Sequence, residues 1–250
     1  LRDVIVSMIP AHTCYVEVFG GAAWVLFGKP PGISKSEVLN DLDGELANFW
    51  RVIKHRPAEF TEAVSWLMPS RELFDEAKDL PGIGGEIRRA VQFYYVLRLS
   101  YGGRRVNPSY GFKLKRRPDL WWATEKDEVL RVIERLRGVW VERLVWEQCI
   151  ARFARKHSRT FFYLDPPYRA PGARSYRHWF TDEDHARLAD VLRGIRHSQW
   201  LLSYNDDPFI RRLYRGRGVS FIRVRTRYTV AGGTKQGKIG HELLIANYSI

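Results

Sequence analysis

The residues of this chain best suited to chemistry lie in the run Thr160-Phe161-Phe162-Tyr163-Leu164-Asp165-Pro166-Pro167-Tyr168. A buried, strand-forming stretch there delivers an acid, two prolines and an aromatic ring to its carboxyl end, where α/β sheets place ligands. Asp165 can accept one hydrogen bond from an exocyclic amine, and the Pro166 carbonyl can accept a second. Proline has no N–H, so the segment presents acceptors without competing donors, and its fixed φ holds them rigid. Tyr168 offers a π face to a planar base, a contact worth roughly 1–3 kcal/mol. An Asp-Pro pair after a strand can be a plain proline turn; the complete tetrad behind an apolar strand is hard to explain that way.

A second constellation sits near the N-terminus. Cys14 to Phe19 is rich in strand formers and runs straight into Gly20-Gly21-Ala22-Ala23. Two glycines let backbone approach a ligand closely, and the start of the helix that follows favours anionic groups. Asp41 follows about twenty residues on, at the end of the next strand, where an acid can take both ribose hydroxyls. On their own the glycines fit a tight structural turn equally well. The seven His show no ligand spacing and the two Cys, Cys14 and Cys149, read as core thiols, so no metal site is expected.

The elements that must position these groups follow from pattern. Leu1 to Ile9 reads as a helix ending at Pro10, Cys14 to Phe19 as a strand, Ala22 to Phe27 as a short helix, and Glu37 to Asn40 as a strand. Asp43 is placed to cap a helix over Gly44 to Lys54, with Leu46, Phe49, Trp50 and Ile53 on one face. Strand, glycine turn, helix, strand, acid is a βαβ unit of the nucleotide-binding kind. That rhythm is lost over residues 56–137. Helices are expected there at Ala58 to Leu67, Ser70 to Asp79, Gly84 to Ser100 and Thr124 to Leu136, with a glycine- and arginine-rich loop before the last. The rhythm returns with strands at Val139 to Leu144, Thr160 to Leu164 and Trp200 to Tyr204. Helices alternate with them at Trp146 to Lys156, Thr181 to Arg196 and Pro208 to Tyr214. Two closing strands, Val219 to Arg225 and Glu242 to Tyr248, have no helix between them and should pair antiparallel. The expected architecture is α/β, a mostly parallel Rossmann-like sheet with an antiparallel C-terminal strand and helices on both faces. Residues 1–55 and 138–250 form the nucleotide-binding domain, and 56–137 an inserted, mostly helical module.

Charge suggests the partner. The 250 residues hold 41 Lys plus Arg against 28 Asp plus Glu, a net +13. Residues 151–250 alone contribute 19 basic and 8 acidic side chains, and residues 98–117 carry seven basic residues and no acid. Such clustering is an electrostatic footprint for a polyanion, with nucleic acid the commonest soluble candidate. No apolar run reaches a membrane span, the stretch from Leu1 lacks a signal-peptide layout, and cysteine is scarce. A reducing cytosol is therefore the expected compartment, and membrane, secreted and zinc-finger classes are excluded.

The tetrad Asp165-Pro166-Pro167-Tyr168 resembles the signature of amino-methyltransferases acting on nucleic acid bases. The whole chain is similar to Dam-type N6-adenine DNA methyltransferases, in particular phage and prophage members, in which the cofactor motif precedes the catalytic one. Glu17-Val18-Phe19-Gly20-Gly21-Ala22-Ala23 resembles their Phe-x-Gly-x-Gly loop, with Ala23 in place of the last glycine, a departure that small-residue packing should absorb. Asn40-Asp41-Leu42-Asp43 resembles their acidic segment, and Leu97-Arg98-Leu99-Ser100-Tyr101-Gly102-Gly103 their Arg-x-x-aromatic insert. The Trp-x-Gly-Gly-Lys segment that members carry before the first helix would lie ahead of Leu1. Their Asp-aromatic pair after the third strand is Val145-Trp146 here, so the cofactor's adenine should be held by stacking or backbone contacts.

The resemblance implies S-adenosylmethionine as methyl donor, with S-adenosylhomocysteine as product and no metal, and a duplex adenine flipped out for methylation. It implies catalytic roles for Asp165, Pro166, Pro167 and Tyr168. Cofactor contacts are expected from Phe19, Gly20, Gly21, Ala22, Ala23, Asp41, Leu42, Leu144, Trp146 and Asp165. DNA contacts are expected from Arg98, Tyr101, Arg104, Arg105, Lys113, Lys115, Arg116 and Arg117, and from Arg225 and Arg227 among the cations Arg223 to Lys238. GATC is the first target sequence to test. The expected setting is double-stranded DNA in a bacterial or phage-infected cytoplasm, close to the nucleoid. The protein should act as a monomer or weak dimer, with any paired restriction enzyme a separate protein. Three other readings stand beside this one. Cytosine-N4 methylation uses the same type of tetrad. A nicotinamide-dependent Rossmann enzyme would leave Asp165 to Tyr168 without a task, and a non-catalytic DNA-binding protein would not need the glycine loop.

Overall fold

Short apolar runs bounded by turn residues build the sheet. Strands β1 (Cys14–Glu17), β2 (Ser36–Asn40), β3 (Val139–Glu142), β4 (Thr160–Leu164) and β5 (Gln199–Asn205) precede a closing pair, β6 (Ser220–Tyr228) and β7 (Lys238–Ala246). They belong to a computed structural model that describes residues 1–79, 82–101, 106–111, 121–155, 159–169, 179–228 and 238–250. The seven strands lie in the order β3-β2-β1-β4-β5-β7-β6. β1 to β5 are mutually parallel, and β7 runs antiparallel to both β5 and β6. The expected antiparallel end is thus present. β4, central and covered on both faces, is buried at every position, as the near-continuous apolar run of an internal parallel strand requires.

Ten helices accompany these strands among the described residues: α1 (Arg2–Ser7), α2 (Trp24–Gly28), α3 (Gly44–His55), α4 (Pro57–Ser65), α5 (Arg71–Asp79), α6 (Glu86–Leu99), α7 (Trp121–Leu136), α8 (Trp146–Phe153), α9 (Asp182–Gly194) and α10 (Pro208–Tyr214). None is long and apolar enough to cross a membrane. Local chemistry sets several starts. Asp43 caps α3 by accepting from the Glu45 and Leu46 N–H groups at 2.9 and 3.2 Å. Thr181 and Asp184 form a reciprocal capping box on α9. Asp207 caps α10, whose first residue is Pro208. The short helix after β1 starts later than its sequence suggests, because Ala23 takes a left-handed conformation (φ 54°) and belongs to the turn.

Two compact units make up the chain: Leu1–Leu42 with Val139–Ile250, and Asp43–Gly138. The first holds the sheet. One face of it is the core of Val16, Val18, Val38, Phe162, Leu164, Trp200 and Leu202 with side chains of α8, α9 and α10; on the other, Glu17 of β1 meets the Leu26 N–H of α2. The second unit begins at Asp43, so α3 falls in it rather than with the residues that precede it. The reason is aromatic packing: the Phe49 ring contacts those of Phe60, Phe93 and Tyr94 at 5.4–6.0 Å. Within this unit the described residues on either side of 102–105 pair with each other. Ser100 and Tyr110 form an antiparallel bridge, with Tyr101 N–H to Ser109 O and Gly111 N–H to Leu99 O both at 2.7 Å.

Strand order decides where a ligand can sit. From β1 the chain proceeds outward to β2 and β3 on one side, whereas β4 and β5 lie on the other, so the order reverses between β1 and β4. In open α/β sheets the crevice outside the carboxyl ends of strands at such a reversal is where ligands bind. The glycine loop follows β1, and Asp165 follows β4.

Candidate active site

The two segments leave the sheet side by side. Beyond the end of β1, the Val18 N–H donates to Tyr163 O of β4 at 3.0 Å, which aligns the approach to Phe19 with the approach to Asp165. The glycine loop then folds toward β2. Gly20 N–H donates to Asn40 O at 2.7 Å, and a Cβ on Gly20 would stand 2.7 Å from Leu39 Cδ1 and 2.9 Å from Asn40 O. Gly20 is therefore required by the neighbouring strand. Gly21 has φ +49° and open space where a Cβ would be, and its N–H donates to Asp41 Oδ2 at 2.9 Å. The acid expected to take ribose hydroxyls thus also fastens the loop. Beneath it, buried Glu17 accepts the Tyr15 hydroxyl at 2.8 Å and the Leu26 N–H at 3.0 Å, tying β1 to the start of α2. Ala22 is exposed and Ala23 buried.

The third side of the crevice is held by Asn40. Its Nδ2 donates to Val18 O and Leu144 O at 2.9 and 3.1 Å, and its Oδ1 accepts the Leu144 N–H at 2.9 Å. One buried amide at the end of β2 thereby binds together the segments beyond β1 and β3. Leu42 is partly exposed, as is Val145. Trp146, expected among the cofactor contacts, is only 7% exposed and packs in the core. Its ring centroid lies 6.2 Å from that of Phe180, and the Arg187 guanidinium sits 5.7 Å over it. Phe180 also meets Phe19 edge-on at 5.6 Å. It was not among the residues singled out from sequence, although an aromatic pair before a capping threonine, Trp179-Phe180-Thr181, marks it.

The tetrad is framed by β5 and β7. Asp165 remains open to solvent, while the surrounding protein disfavours its charge and pushes its pKa up; the hydrogen bond from Ser203 acts in the opposite sense. Ser203 Oγ donates to Asp165 Oδ1 at 2.8 Å and lies 3.0 Å from the Tyr163 hydroxyl. Pro166 and Pro167 are buried. Tyr168 is half-buried: its hydroxyl donates to Glu242 Oε2 at 3.1 Å, and its ring lies 5.9 Å from Tyr204. The Tyr204 hydroxyl is in turn 2.7 Å from His185 Nδ1. Arg169, next in the chain, grips Asp182 through two bonds of 2.7 and 3.1 Å and covers the Phe209 ring. Ser203, Glu242 and Arg169 escaped the sequence reading. The first two are polar residues inside apolar strands, a signal that is visible but silent about what each touches. Burial pushes the Cys149 thiol up to about 12, so it stays protonated in the core.

The residues expected at DNA are less fully placed. Arg98, in the last turn of α6, lies 4.0 Å from Glu128, and Tyr101 is 45% exposed. Arg225 projects from β6 as an exposed side chain, while its neighbour Arg223 pairs with Asp206 at 2.8 Å. Arg104, Arg105, Lys113, Lys115, Arg116 and Arg117 lie outside the described residues, as does the Arg227 side chain.

The family described as D12 class N6 adenine-specific DNA methyltransferase matches residues 1–230. The chain is similar to the DNA adenine methylase of Escherichia coli (strain K12), at 26% identity over 94% of this chain and 87% of the relative. It is similar to the DNA adenine methylase of Vibrio cholerae serotype O1 at 27% identity, covering 95% and 88%. It also resembles the type II methyltransferase M1.LlaDCHI of Lactococcus lactis subsp. cremoris at 25% identity, covering 94% and 86%.

Proposed function

From the premise that the chain belongs to the D12 class of N6 adenine-specific DNA methyltransferases, we propose how this crevice carries out the reaction. The protein is a DNA adenine methyltransferase, and an adenine-specific family does not favour the cytosine-N4 alternative. The observation that carries the site assignment is the convergence of Asp165 and the glycine loop at the sheet's point of reversal.

Methyltransferases of this family use S-adenosylmethionine, which when bound supplies a methyl group activated by its sulfonium. The residues present fit it. The glycine loop leaves open space at Gly21, an acid stands at the end of β2, and Leu42 and Val145 give an apolar rim. We assign cofactor contacts to Phe19, Gly20, Gly21, Ala22, Ala23, Asp41, Leu42, Leu144 and Asp165, with Trp146 shaping the wall from behind.

Adenine's exocyclic nitrogen is a poor nucleophile because its lone pair is delocalised into the ring. Asp165 and the Pro166 carbonyl accept its two N–H bonds, favouring a pyramidal nitrogen whose lone pair points at the methyl group. Alignment and charge stabilisation then supply the rate enhancement. The N–C bond would form as the methyl's bond to sulfur breaks, leaving S-adenosylhomocysteine, and the nitrogen, gaining positive charge, would release one proton, for which Asp165 is the adjacent acceptor. Tyr168 stacks on the flipped base, backed by Tyr204. DNA is held by the insert around Arg98 and Tyr101 and by the cations of the β6–β7 pair. We read the enzyme as a cytosolic monomer or weak dimer acting on duplex DNA.

The test is incubation of unmodified duplex DNA with the protein and S-adenosylmethionine, followed by nucleoside mass analysis. N6-methyladenine is expected from the parent and none from Asp165→Ala, whose cofactor affinity should stay close to the parent's. Near-parental turnover in a folded Asp165→Ala protein overturns the assignment.

A further inference from the structure

Tyr168 has one hydroxyl hydrogen and two carboxylates beside it. It donates to Glu242 Oε2 at 3.1 Å, and Asp165, three residues earlier in the tetrad, is the second acid that acts on the same phenol. A phenol donates a single hydrogen bond, so the two acids compete for it. Glu242 holds it. This glutamate sits on β7 opposite Asn205 of β5 and is 2% exposed. An acid at such a position must be paired to be tolerated, and the Tyr168 hydroxyl is one of its partners.

The competition matters because Asp165 is already partly engaged. Its Oδ1 accepts from Ser203, which itself lies beside the Tyr163 hydroxyl. Were Tyr168 to turn its hydrogen to Asp165, that carboxylate would carry two internal donors at the place where the substrate amine must bind. We propose that Glu242 is a positioning residue for methyl transfer: by capturing the Tyr168 O–H it keeps the Asp165 carboxylate available to the target adenine's amine. The inference rests on the assignment of Asp165 as that acceptor and adds a second, buried acid acting through the aromatic ring of the tetrad.

The experiment compares Glu242→Leu, Tyr168→Phe and the double variant in single-turnover methylation with saturating DNA and S-adenosylmethionine. Glu242→Leu frees the Tyr168 hydroxyl to occupy Asp165, so the rate should fall about tenfold or more, the scale of one charge-assisted hydrogen bond, with both binding affinities unchanged. Adding Tyr168→Phe deletes the competing donor but keeps the stacking ring, so the double variant should be faster than Glu242→Leu. A glutamate that merely supports the fold predicts the opposite, a double variant slower than either single one. A double variant no faster than Glu242→Leu overturns the proposal. Should Glu242→Leu fail to fold, Glu242→Gln provides a weaker acceptor of the same size, and the same ordering with and without Tyr168→Phe decides the question. Asp165→Ala is run alongside. Activity there overturns the assignment of Asp165 itself, whereas its loss without rescue in the double variant removes only the role of Glu242.

Discussion

Asp41 and Gly21 are joined by a 2.9 Å hydrogen bond from the glycine N–H to the carboxylate, so the acid proposed to take the ribose hydroxyls also fastens the glycine loop. These two roles separate by mutation. Asp41→Asn keeps an oxygen acceptor for Gly21 but removes the charge; it should leave the thermal midpoint unchanged and weaken S-adenosylmethionine binding by about 1.5–3 kcal/mol. Asp41→Ala removes both and should lose affinity and loop order together. Calorimetric titration with melting curves checks this; equal affinity for Asn and parent would move the ribose role to Asp43 or elsewhere.

The pH dependence of methylation follows from Asp165. Its pKa is raised, chiefly because the surrounding protein disfavours its charge, and only the ionised form accepts the target amine at full strength. Activity should therefore be complete above the raised value and fall as pH drops through it, at higher pH than for an ordinary carboxylate near about 3.9. The Ser203 hydrogen bond opposes that shift. Ser203→Ala should move the acid limb of the single-turnover profile further upward, and an unmoved limb would remove Ser203 from the frame.

Ala23 occupies a left-handed backbone conformation, φ 54° and ψ 33°, which costs an L-residue roughly 1–2 kcal/mol. Ala23→Gly relieves that cost against a loss of about 0.5–1 kcal/mol in chain entropy. A net gain of about 0.5–1 kcal/mol is expected in urea unfolding at constant m. A loss of stability would show that the Ala23 methyl packs better than its backbone is strained.

A buried ion pair joins Lys29 to Glu37 at 2.6 Å, with side-chain exposures of 1% and 7%, and Lys29 also donates to Ser34. Lys29→Met should cost about 3–5 kcal/mol by removing the cation that faces the buried Glu37 carboxylate, and Glu37→Leu in the same protein should restore most of it. Denaturation of the two variants gives the answer; a double variant no more stable than Lys29→Met would show that shape, not charge, dominates there.

Alanine changes across the insert cations and at Arg225 should divide into two groups. Those that lose phosphate contacts weaken binding to every sequence and flatten the salt slope by about one unit per contact. Those that lose a base contact relax one position at a cost of roughly 1–3 kcal/mol. Binding to GATC-containing and scrambled duplexes at several salt concentrations separates them. Parental binding and methylation in all insert variants would shift recognition to Arg223 through Lys238.

Much of the site was legible in the sequence, because the signals that announce it are local. Proline's missing N–H, glycine's freedom, strand-forming runs and the cap at Asp43 act within a few residues of themselves, and a contiguous tetrad such as Asp165 to Tyr168 carries its own chemistry. The antiparallel pairing of β6 and β7 was equally readable, since no helix separates them. Tertiary structure decided what depends on distant partners. Gly20 is a glycine because β2 lies against it, Trp146 is a core residue because Phe180 and Arg187 close over it, and α3 joins the second unit through Phe49. Ser203 reaches Asp165 only because β5 pairs with β4, and Glu242 reaches Tyr168 only because β7 pairs with β5, a register that brings residues 38 and 74 positions apart into hydrogen-bonding distance. A sequence states which groups a strand carries; only the packed sheet determines which of them meet.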